Sequence, residues 1–306
     1  MKKTGLSMLL LVVLAIAKAA PYNSAAYGHQ TRITASFPDN YTDTSFMQEP
    51  DTAVSYQTFY DELSPYGKWV DYPGYGYVWS PADPGFRPYY TNGYWNYTNM
   101  GFTWVSDYPW GWAPFHYGRW FYETGYGWLW VPGYEWGPAW VCWRNNTDYY
   151  GWAPLAPGMD IGVSVGINIP FEHWAFIPHR YIYERDMGHY LLDERRNETV
   201  LSASVIINNT KYTPGRTLFS TGPRIEEVER FTGKHISPVV IHAHPRPAVA
   251  EVNDREMRIF KPAIQPPHEP VTMRPKEIKQ YKDLPHDNGR RGTWSALAHT
   301  RERDHR

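Results

Sequence analysis

The sequence predicts a mainly β fold. It is expected to contain antiparallel β-hairpin repeats of about 25 residues, in a barrel or an open array, then a small α+β region and a disordered tail. Phe, Trp and Tyr make up 17% of the 306 residues, and aromatic side chains fit strands well. The 24 Gly and 27 Pro favour many short turns over long helices. The third observation behind the prediction is an internal repeat.

Three sequence markers recur at a constant spacing in the centre of the chain. Gly-x-Trp recurs at steps of 26 and 25 residues, at 67–69, 93–95 and 118–120. A marker that begins with Gly and ends with Trp recurs at steps of 25 and 26, at 76–79, 101–104 and 127–130. A Gly-x-x-Pro marker occurs at 85–88, 111–114 and 151–154, with an altered copy at 137–140. Each unit is too short for two helices and suits two short strands joined by turns.

Six tryptophans keep a fixed register in these units and are predicted to form the core. They are Trp69, Trp79, Trp95, Trp104, Trp120 and Trp130. The Trp of each Gly-x-Trp lies two residues after its Gly, on the same face of a strand. One unit cannot bury its apolar face alone, so neighbouring units must pack against each other.

The chain is divided into five segments by changes in composition. They are a signal peptide (1–19), a flexible leader (20–55), the aromatic β-repeat domain (56–158), a small α+β region (159–245) and a Pro- and charge-rich disordered tail (246–306). In the first, Lys2 and Lys3 precede an apolar run, and small residues then lead to a cleavage site after Ala19. A retained single-pass anchor is the alternative. No later apolar segment is long enough to cross a membrane, so no transmembrane segment is expected in the mature chain.

The small α+β region shows both strand and helix patterns. Apolar and small residues alternate over 161–167, and 201–207 and 239–241 are further strand candidates. A short helix is predicted from Pro223 to Thr232, since Pro suits a first turn and Gly233 would end it.

The run from Tyr60 to Pro154 resembles a family of uncharacterised exported bacterial proteins with repeated aromatic motifs. The family motif Y-G-x-W-V-D is matched at 66–71, and S-D-x-P-W-G-W-A-P-[YF]-H-Y-G-R-W is matched at 106–120. Asn-Asn-Thr at 208–210 and the element at 232–239 look like the family's C-terminal half. The resemblance implies export to the periplasm or cell surface of a Gram-negative-type bacterium. It implies no catalytic residues and no activity.

Patterns typical of enzymes and metal sites have simpler interpretations in this sequence. Gly-x-Ser-x-Gly around Ser164 would need a following helix, whereas the apolar alternation continues to Pro170. His242 and His244 share one strand face but are too few to bind zinc. No phosphate-binding or dinucleotide motif is present, so neither a metal nor any other cofactor is predicted.

Carboxylates of the repeat could in principle provide the acid–base pair of a glycoside hydrolase. The candidates are Asp71, Asp107, Glu123 and Glu135. The first two occupy turn-like positions, where Asp commonly caps backbone amides. We therefore expect no enzymatic activity, and a hydrolase is the least favoured alternative.

The lone cysteine and the net charge exclude further classes. Cys142 is the only Cys, so no intramolecular disulfide can form, and its apolar surroundings predict a buried side chain. The formal net charge of −1 gives no electrostatic reason to expect nucleic acid as a partner.

Further aromatic residues fall at predicted turns, where we expect them to form an exposed binding surface. They are Tyr72, Tyr75, Tyr108, Trp110, Tyr126 and Tyr134. Exposed aromatic clusters mark interaction surfaces, and flat rings with a polar handle suit sugars, peptides or another protein. The leading hypothesis is a non-enzymatic binding or scaffolding protein that holds a polysaccharide, peptidoglycan or an envelope protein. The alternative is a purely structural envelope module whose aromatic residues all pack in the core.

Overall fold

The computed structural model describes residues 53–159, 161, 168–265 and 273–283. The predicted signal peptide, residues 20–52 of the leader, and Ser164 with its neighbours in 162–167 lie outside these residues. The strands are β1 Ala53–Ser55, β2 Gly67–Tyr72, β3 Gly76–Pro81, β4 Gly93–Thr98, β5 Gly101–Ser106, β6 Arg119–Glu123, β7 Gly127–Val131, β8 Val141–Asn145, β9 Tyr149–Pro154, β10 Ala175–Pro178, β11 Val205–Ile206, β12 Thr210–Tyr212, β13 Leu218–Ser220, β14 Val240–His244, β15 Glu251–Val252, β16 Glu256–Phe260, β17 Ala263–Gln265 and β18 Ile278–Gln280. The α-helices are α1 Tyr56–Leu63, α2 Glu194–Ser202 and α3 Ile225–Thr232.

The predicted fold class is confirmed: the protein is mainly β, with antiparallel hairpins arranged in open sheets. Hairpin 1 is β2–β3, hairpin 2 is β4–β5, hairpin 3 is β6–β7 and hairpin 4 is β8–β9. Hairpins 1 and 3 share a five-stranded sheet in the order β18-β2-β3-β7-β6. Hairpin 4 lies in a four-stranded sheet in the order β10-β9-β8-β11.

Each hairpin carries two tryptophans directly opposite each other on neighbouring strands. The pairs are Trp69–Trp79, Trp95–Trp104, Trp120–Trp130 and Trp143–Trp152. The six tryptophans predicted to form the core are all at most 2% exposed. Opposed side chains on one sheet face are the unit that stabilises strand pairing, and large aromatic rings bury the most area.

The tryptophan pairs join the hairpins in two couples. The rings of Trp79 and Trp120 are 6.3 Å apart, which links hairpins 1 and 3. Trp95 is 4.6 Å from Trp143, which links hairpins 2 and 4. Phe115 lies between the couples, 6.0 Å from Trp104 and 6.3 Å from Trp120. The aromatic core is therefore continuous across all four hairpins.

A steric contact explains why the Gly-x-Trp marker begins with glycine. A Cβ atom at Gly67 would lie 2.6 Å from the Trp79 ring, and one at Gly93 would lie 2.6 Å from the Trp104 ring. The indole of the return strand therefore covers the glycine Cα, where no side chain fits. This contact explains why the marker accompanies the tryptophan pairs of hairpins 1, 2 and 3.

The segment predicted to be a disordered tail contributes strands, which corrects that prediction for part of its length. Residues 246–265 and 273–283 include β15, β16, β17 and β18. Strand β17 pairs in parallel with β1, at the end of the predicted leader, and β18 pairs in parallel with β2. These strands have two to five residues each. Strands β15 and β16 form a short local antiparallel pair, whereas β17 and β18 complete sheets whose other strands lie far away in the sequence. No local periodicity could therefore reveal β17 and β18.

The α+β region differs from its prediction in one strand. The strand expected over 201–207 is largely wrong, because α2 extends to Ser202 and leaves only Val205–Ile206 as β11. The Asp193 carboxylate caps α2 by accepting a hydrogen bond of 2.9 Å from the Arg195 amide. The helix expected at Pro223 to Thr232 is present as α3 and ends at Gly233, which is left-handed with φ of 68°.

None of the helices in the described ranges is both long and apolar enough to cross a membrane.

Candidate functional site

Three of the six predicted surface residues converge at one end of the five-stranded sheet. Tyr72 ends β2, Tyr75 lies in the turn of hairpin 1, and Tyr126 lies in the turn of hairpin 3. They meet Phe121 from β6 and Tyr281, which follows β18. We call these five residues the tyrosine cluster.

The rings of the tyrosine cluster form a chain of contacts. Phe121 is 5.3 Å from Tyr72 and 5.2 Å from Tyr75, measured between ring centroids. Tyr281 lies 4.8 Å from Tyr72 and 5.1 Å from Tyr126. The Tyr126 hydroxyl donates a hydrogen bond of 3.1 Å to the Tyr281 carbonyl. Tyr75 is 41% exposed, so part of its side chain reaches solvent.

Glu123 supplies the polar group of this site. Its Oε2 accepts a hydrogen bond of 2.9 Å from the Tyr72 hydroxyl, and its Oε1 accepts one of 3.3 Å from the Tyr281 hydroxyl. Burial and the adjacent Glu123 carboxylate raise the pKa of Tyr72 well above its usual range. Tyr72 therefore stays a protonated hydrogen-bond donor at neutral pH.

The cluster rests on a rigid apolar layer. Val70, Val78 and Leu129 lie on the same sheet face, two residues inward from the strand ends at the turns, and are fully buried. Tyr72, Phe121 and Tyr126 pack against this layer. The exposed rings are thus held by packed strands, as a preformed binding surface requires.

The other predicted surface residues lie elsewhere. Tyr134 is 43% exposed and stacks on Tyr56 of α1 with ring centroids 4.2 Å apart. Tyr108 is half-buried, and its hydroxyl donates a hydrogen bond of 3.0 Å to Asp83.

The prediction that Trp110 is exposed is wrong. The side chain is 4% exposed, and its ring lies 4.9 Å from Trp79 and 5.5 Å from Phe86. Tyr108 stacks on its outer side at 4.3 Å. The turn that carries Trp110 folds back onto hairpin 1, so the Trp110 side chain packs in the core rather than facing solvent.

The four candidate catalytic carboxylates are distributed over different surroundings. Asp71 and Asp107 are exposed. Glu123 holds the two phenols described above, and Glu135 accepts hydrogen bonds from the hydroxyls of Thr213 and Thr217. The carboxylate oxygens of Glu123 and Glu135 thus contact hydroxyls of the chain itself.

Other candidate groups also have structural surroundings. Cys142 is fully buried, as predicted, and burial raises the pKa of its thiol to about 11. His242 lies 3.9 Å from Glu256, whereas the Nδ1 atom of His244 contacts the Arg246 carbonyl. In the part of the chain that the structure describes, no three His, Cys, Asp or Glu side chains are grouped as metal ligands would be.

Two residues of the tyrosine cluster were not predicted. Phe121 follows Trp120 directly, and strand alternation places it on the opposite face from the core, a signal that was available in the sequence. Tyr281 comes from the predicted tail, 155 residues after Tyr126, and no sequence signal indicated its position.

Comparison with known proteins gives a match to a family over part of the chain but no activity. Residues 60–159 match the Family of unknown function (DUF6600), in agreement with the resemblance to an uncharacterised family. The match covers the four hairpins and every member of the tyrosine cluster except Tyr281. Searches of curated proteins and of solved structures return no match.

Proposed function

We propose that the protein is an exported, non-enzymatic binding protein of a bacterial envelope, and that its tyrosine cluster holds a glycan chain of a polysaccharide or of peptidoglycan. The observation that carries this proposal is the convergence of Tyr72, Tyr75 and Tyr126 around Glu123. Export is proposed from the signal-like N-terminus, with Lys2 and Lys3 before an apolar run.

The chemistry of the cluster suits a sugar. Aromatic rings such as Tyr75 and Phe121 offer flat apolar faces on which the C–H face of a pyranose can pack. The Glu123 carboxylate accepts hydrogen bonds and could receive them from sugar hydroxyl groups. Because the rings are already fixed by packing, binding would lose little side-chain entropy.

A purely structural role is the second candidate, and the burial of the tryptophans favours it. The four opposed pairs and Trp110 all lie inside the core. The hydrogen bonds from Tyr72 and Tyr281 to Glu123 also fasten β2 and the segment after β18 to hairpin 3. In this case the exposed ring of Tyr75 would have no ligand.

Co-sedimentation with insoluble glycans tests the proposed function. The chain from Ala20 onward is incubated with purified peptidoglycan and with insoluble polysaccharides, and the bound fraction is measured as a function of protein concentration. We expect saturable binding that Tyr75→Ala weakens by about five- to tenfold and that Tyr75→Phe largely retains, because the flat ring carries the contact.

Tyr134→Ala is the matched control, because Tyr134 is 43% exposed and Tyr75 is 41% exposed. It should bind as the wild type does, since Tyr134 stacks on Tyr56 away from the cluster. Equal binding by the wild type and Tyr75→Ala would refute the assignment of this surface.

A further inference from the structure

A second group of aromatic rings lies on the other face of hairpin 3. Tyr122 and Trp128 are directly opposed on β6 and β7, one layer further out than the buried pair Trp120–Trp130. Their ring centroids are 5.5 Å apart at 73°. His173, in a short 3-10 helix, lies 4.8 Å from Trp128 and 5.3 Å from Tyr122. Three rings therefore meet beside the turn.

Hairpin 4 contains a corresponding layer that is closed by the chain itself. There Asn145 and Tyr150 are the opposed pair, and His179 packs against them. The Tyr150 hydroxyl donates a hydrogen bond of 2.8 Å to Glu227, and the Nε2 atom of His179 lies 2.8 Å from Asn145 Oδ1. Phe231 of α3 covers the imidazole at 4.3 Å. Every polar group of this layer has a partner.

The layer of hairpin 3 is open by comparison. Tyr122 is 39% exposed, whereas Tyr150 is fully buried. Within 53–159, 161, 168–265 and 273–283, neither the Tyr122 hydroxyl nor a ring nitrogen of His173 has a hydrogen-bond partner. The same arrangement of an opposed pair and a histidine thus leaves its polar groups available to a ligand.

The three rings of this group are uncharged at neutral pH. Burial, assisted by the nearby Arg87 and partly offset by Glu172, lowers the pKa of His173 to about 4, so its imidazole is neutral at pH 7. A neutral imidazole donates through one nitrogen and accepts through the other, which matches sugar hydroxyl groups. The Arg87 guanidinium is already engaged, since it donates to the Glu172 carbonyl at 2.7 Å and lies 4.1 Å from the Tyr90 ring.

We infer that Tyr122, Trp128 and His173 form a second carbohydrate site, which takes an uncharged sugar ring on the face of hairpin 3 opposite to the tyrosine cluster. The ring of Tyr122 stacks on the sugar, Trp128 supports it, and His173 hydrogen-bonds to its hydroxyl groups. This inference depends on the proposed function only in taking a glycan as the class of ligand. Two sites on one hairpin would let the protein hold a polymer at two points, which raises the overall affinity.

Calorimetric titration with two soluble probes, cellohexaose and chitohexaose, tests this inference. For the chain from Ala20 onward, we expect at least one probe to bind and to change tryptophan emission, because Trp128 lies in the site. Tyr122→Ala should weaken this binding by about five- to tenfold at an unchanged melting temperature. His173→Phe keeps a ring against Trp128 but lacks the nitrogens, and it should also weaken binding.

Tyr75→Ala, measured in parallel, separates the two proposals. If Tyr122→Ala and His173→Phe bind as the wild type does while Tyr75→Ala is weakened, the second site is refuted and the tyrosine cluster stands. If only the Tyr122 and His173 variants are weakened, the second site stands and the tyrosine cluster is not a binding surface. A wild type that binds neither probe at millimolar concentration refutes both as sites for neutral glycans.

Discussion

At the scale of single residues, the fold depends on close contacts between glycines and indole rings. Gly93 lies beneath Trp104, and an added Cβ would approach the Val105 carbonyl oxygen to 2.5 Å. The opposed indoles Trp95 and Trp104 meet edge to face, with centroids 5.1 Å apart at 75°. Such aromatic pairs add stability beyond the area they bury. In hairpin 2 the glycine is what leaves room for the Trp104 indole.

Replacing Gly93 with alanine should destabilise the protein by about 1–3 kcal/mol, because the methyl group would displace a core ring or the opposite strand. Urea unfolding of both proteins measures the difference in the free energy of unfolding. Gly188→Ala is the control, since a Cβ there meets no atom within 4 Å. A Gly93→Ala protein as stable as the wild type would contradict the steric explanation of the repeated marker.

A buried histidine gives a pH prediction at the same scale. His116 is 1% exposed, stacks on Trp136 at 5.2 Å, and has Nδ1 2.9 Å from the Gly137 carbonyl. Burial lowers its pKa to about 4. The unfolded chain binds the proton first, from near pH 6.5 downward, so the stability that neutral His116 contributes is lost as the pH falls towards 4.

The wild type should therefore lose up to about 3 kcal/mol through His116 between pH 7 and pH 4. His116→Phe removes this titration, so its free energy of unfolding should fall less over the same interval, measured by urea unfolding at each pH. His173 and His179, whose pKa values are also lowered by burial, contribute equally in both proteins. Parallel pH profiles of the two proteins would show that His116 does not titrate as described.

At the scale of elements, the repeat was predictable wherever its markers were intact. Hairpins 1 to 3 lie where the Gly-x-Trp spacing places them. Hairpin 4 was not recognised as a full copy, because Val141 stands where the marker has Gly and Trp143 follows Trp120 by only 23 residues. Its tryptophan pair still forms, since strand pairing places Trp143 opposite Trp152 whatever residue begins the strand.

Strands β17 and β18 could not be predicted, because their partners lie elsewhere in the chain. Strand β18 pairs with β2 from Trp69 to Asp71, and a strand that pairs with a distant sheet edge has no turn or period to indicate it. Lys276 adds a contact of 3.7 Å with Asp61 of α1. The segment 273–283 is thus attached to hairpin 1 by strand pairing and to hairpin 3 by Tyr281.

Truncation after residue 265 should remove β18 and lower the free energy of unfolding by about 2 kcal/mol, the sum of a few net hydrogen bonds. The edge of β2 would then be open, and limited proteolysis should cut the first hairpin faster. Truncation after residue 283 is the control, because it keeps β18 and Tyr281. Identical stability of the two truncated chains would mean that β18 contributes nothing to the fold.

At the scale of the whole molecule, two couples of hairpins share one aromatic core. The aromatic residues at the turns differ in whether this core covers them. The sequence predicted the hairpins and their tryptophans but not which hairpins pair, because pairing such as Trp79 opposite Trp130 depends on segments 51 residues apart. The exposure expected of the aromatic turn residues is correct for Tyr75, which is 41% exposed, but wrong for Trp110, which is covered by chain from hairpin 1. Only the assembled core decides between these two outcomes.

If Tyr75 serves binding rather than stability, measuring both properties in one variant shows it most directly. Glycan co-sedimentation and thermal unfolding are compared for the wild type and Tyr75→Ala. We predict weakened binding with a melting temperature within about 2 °C of the wild type, as for a change to an exposed side chain. A lower melting temperature with undiminished binding would contradict a binding role for Tyr75 and favour a purely structural role for the aromatic surface.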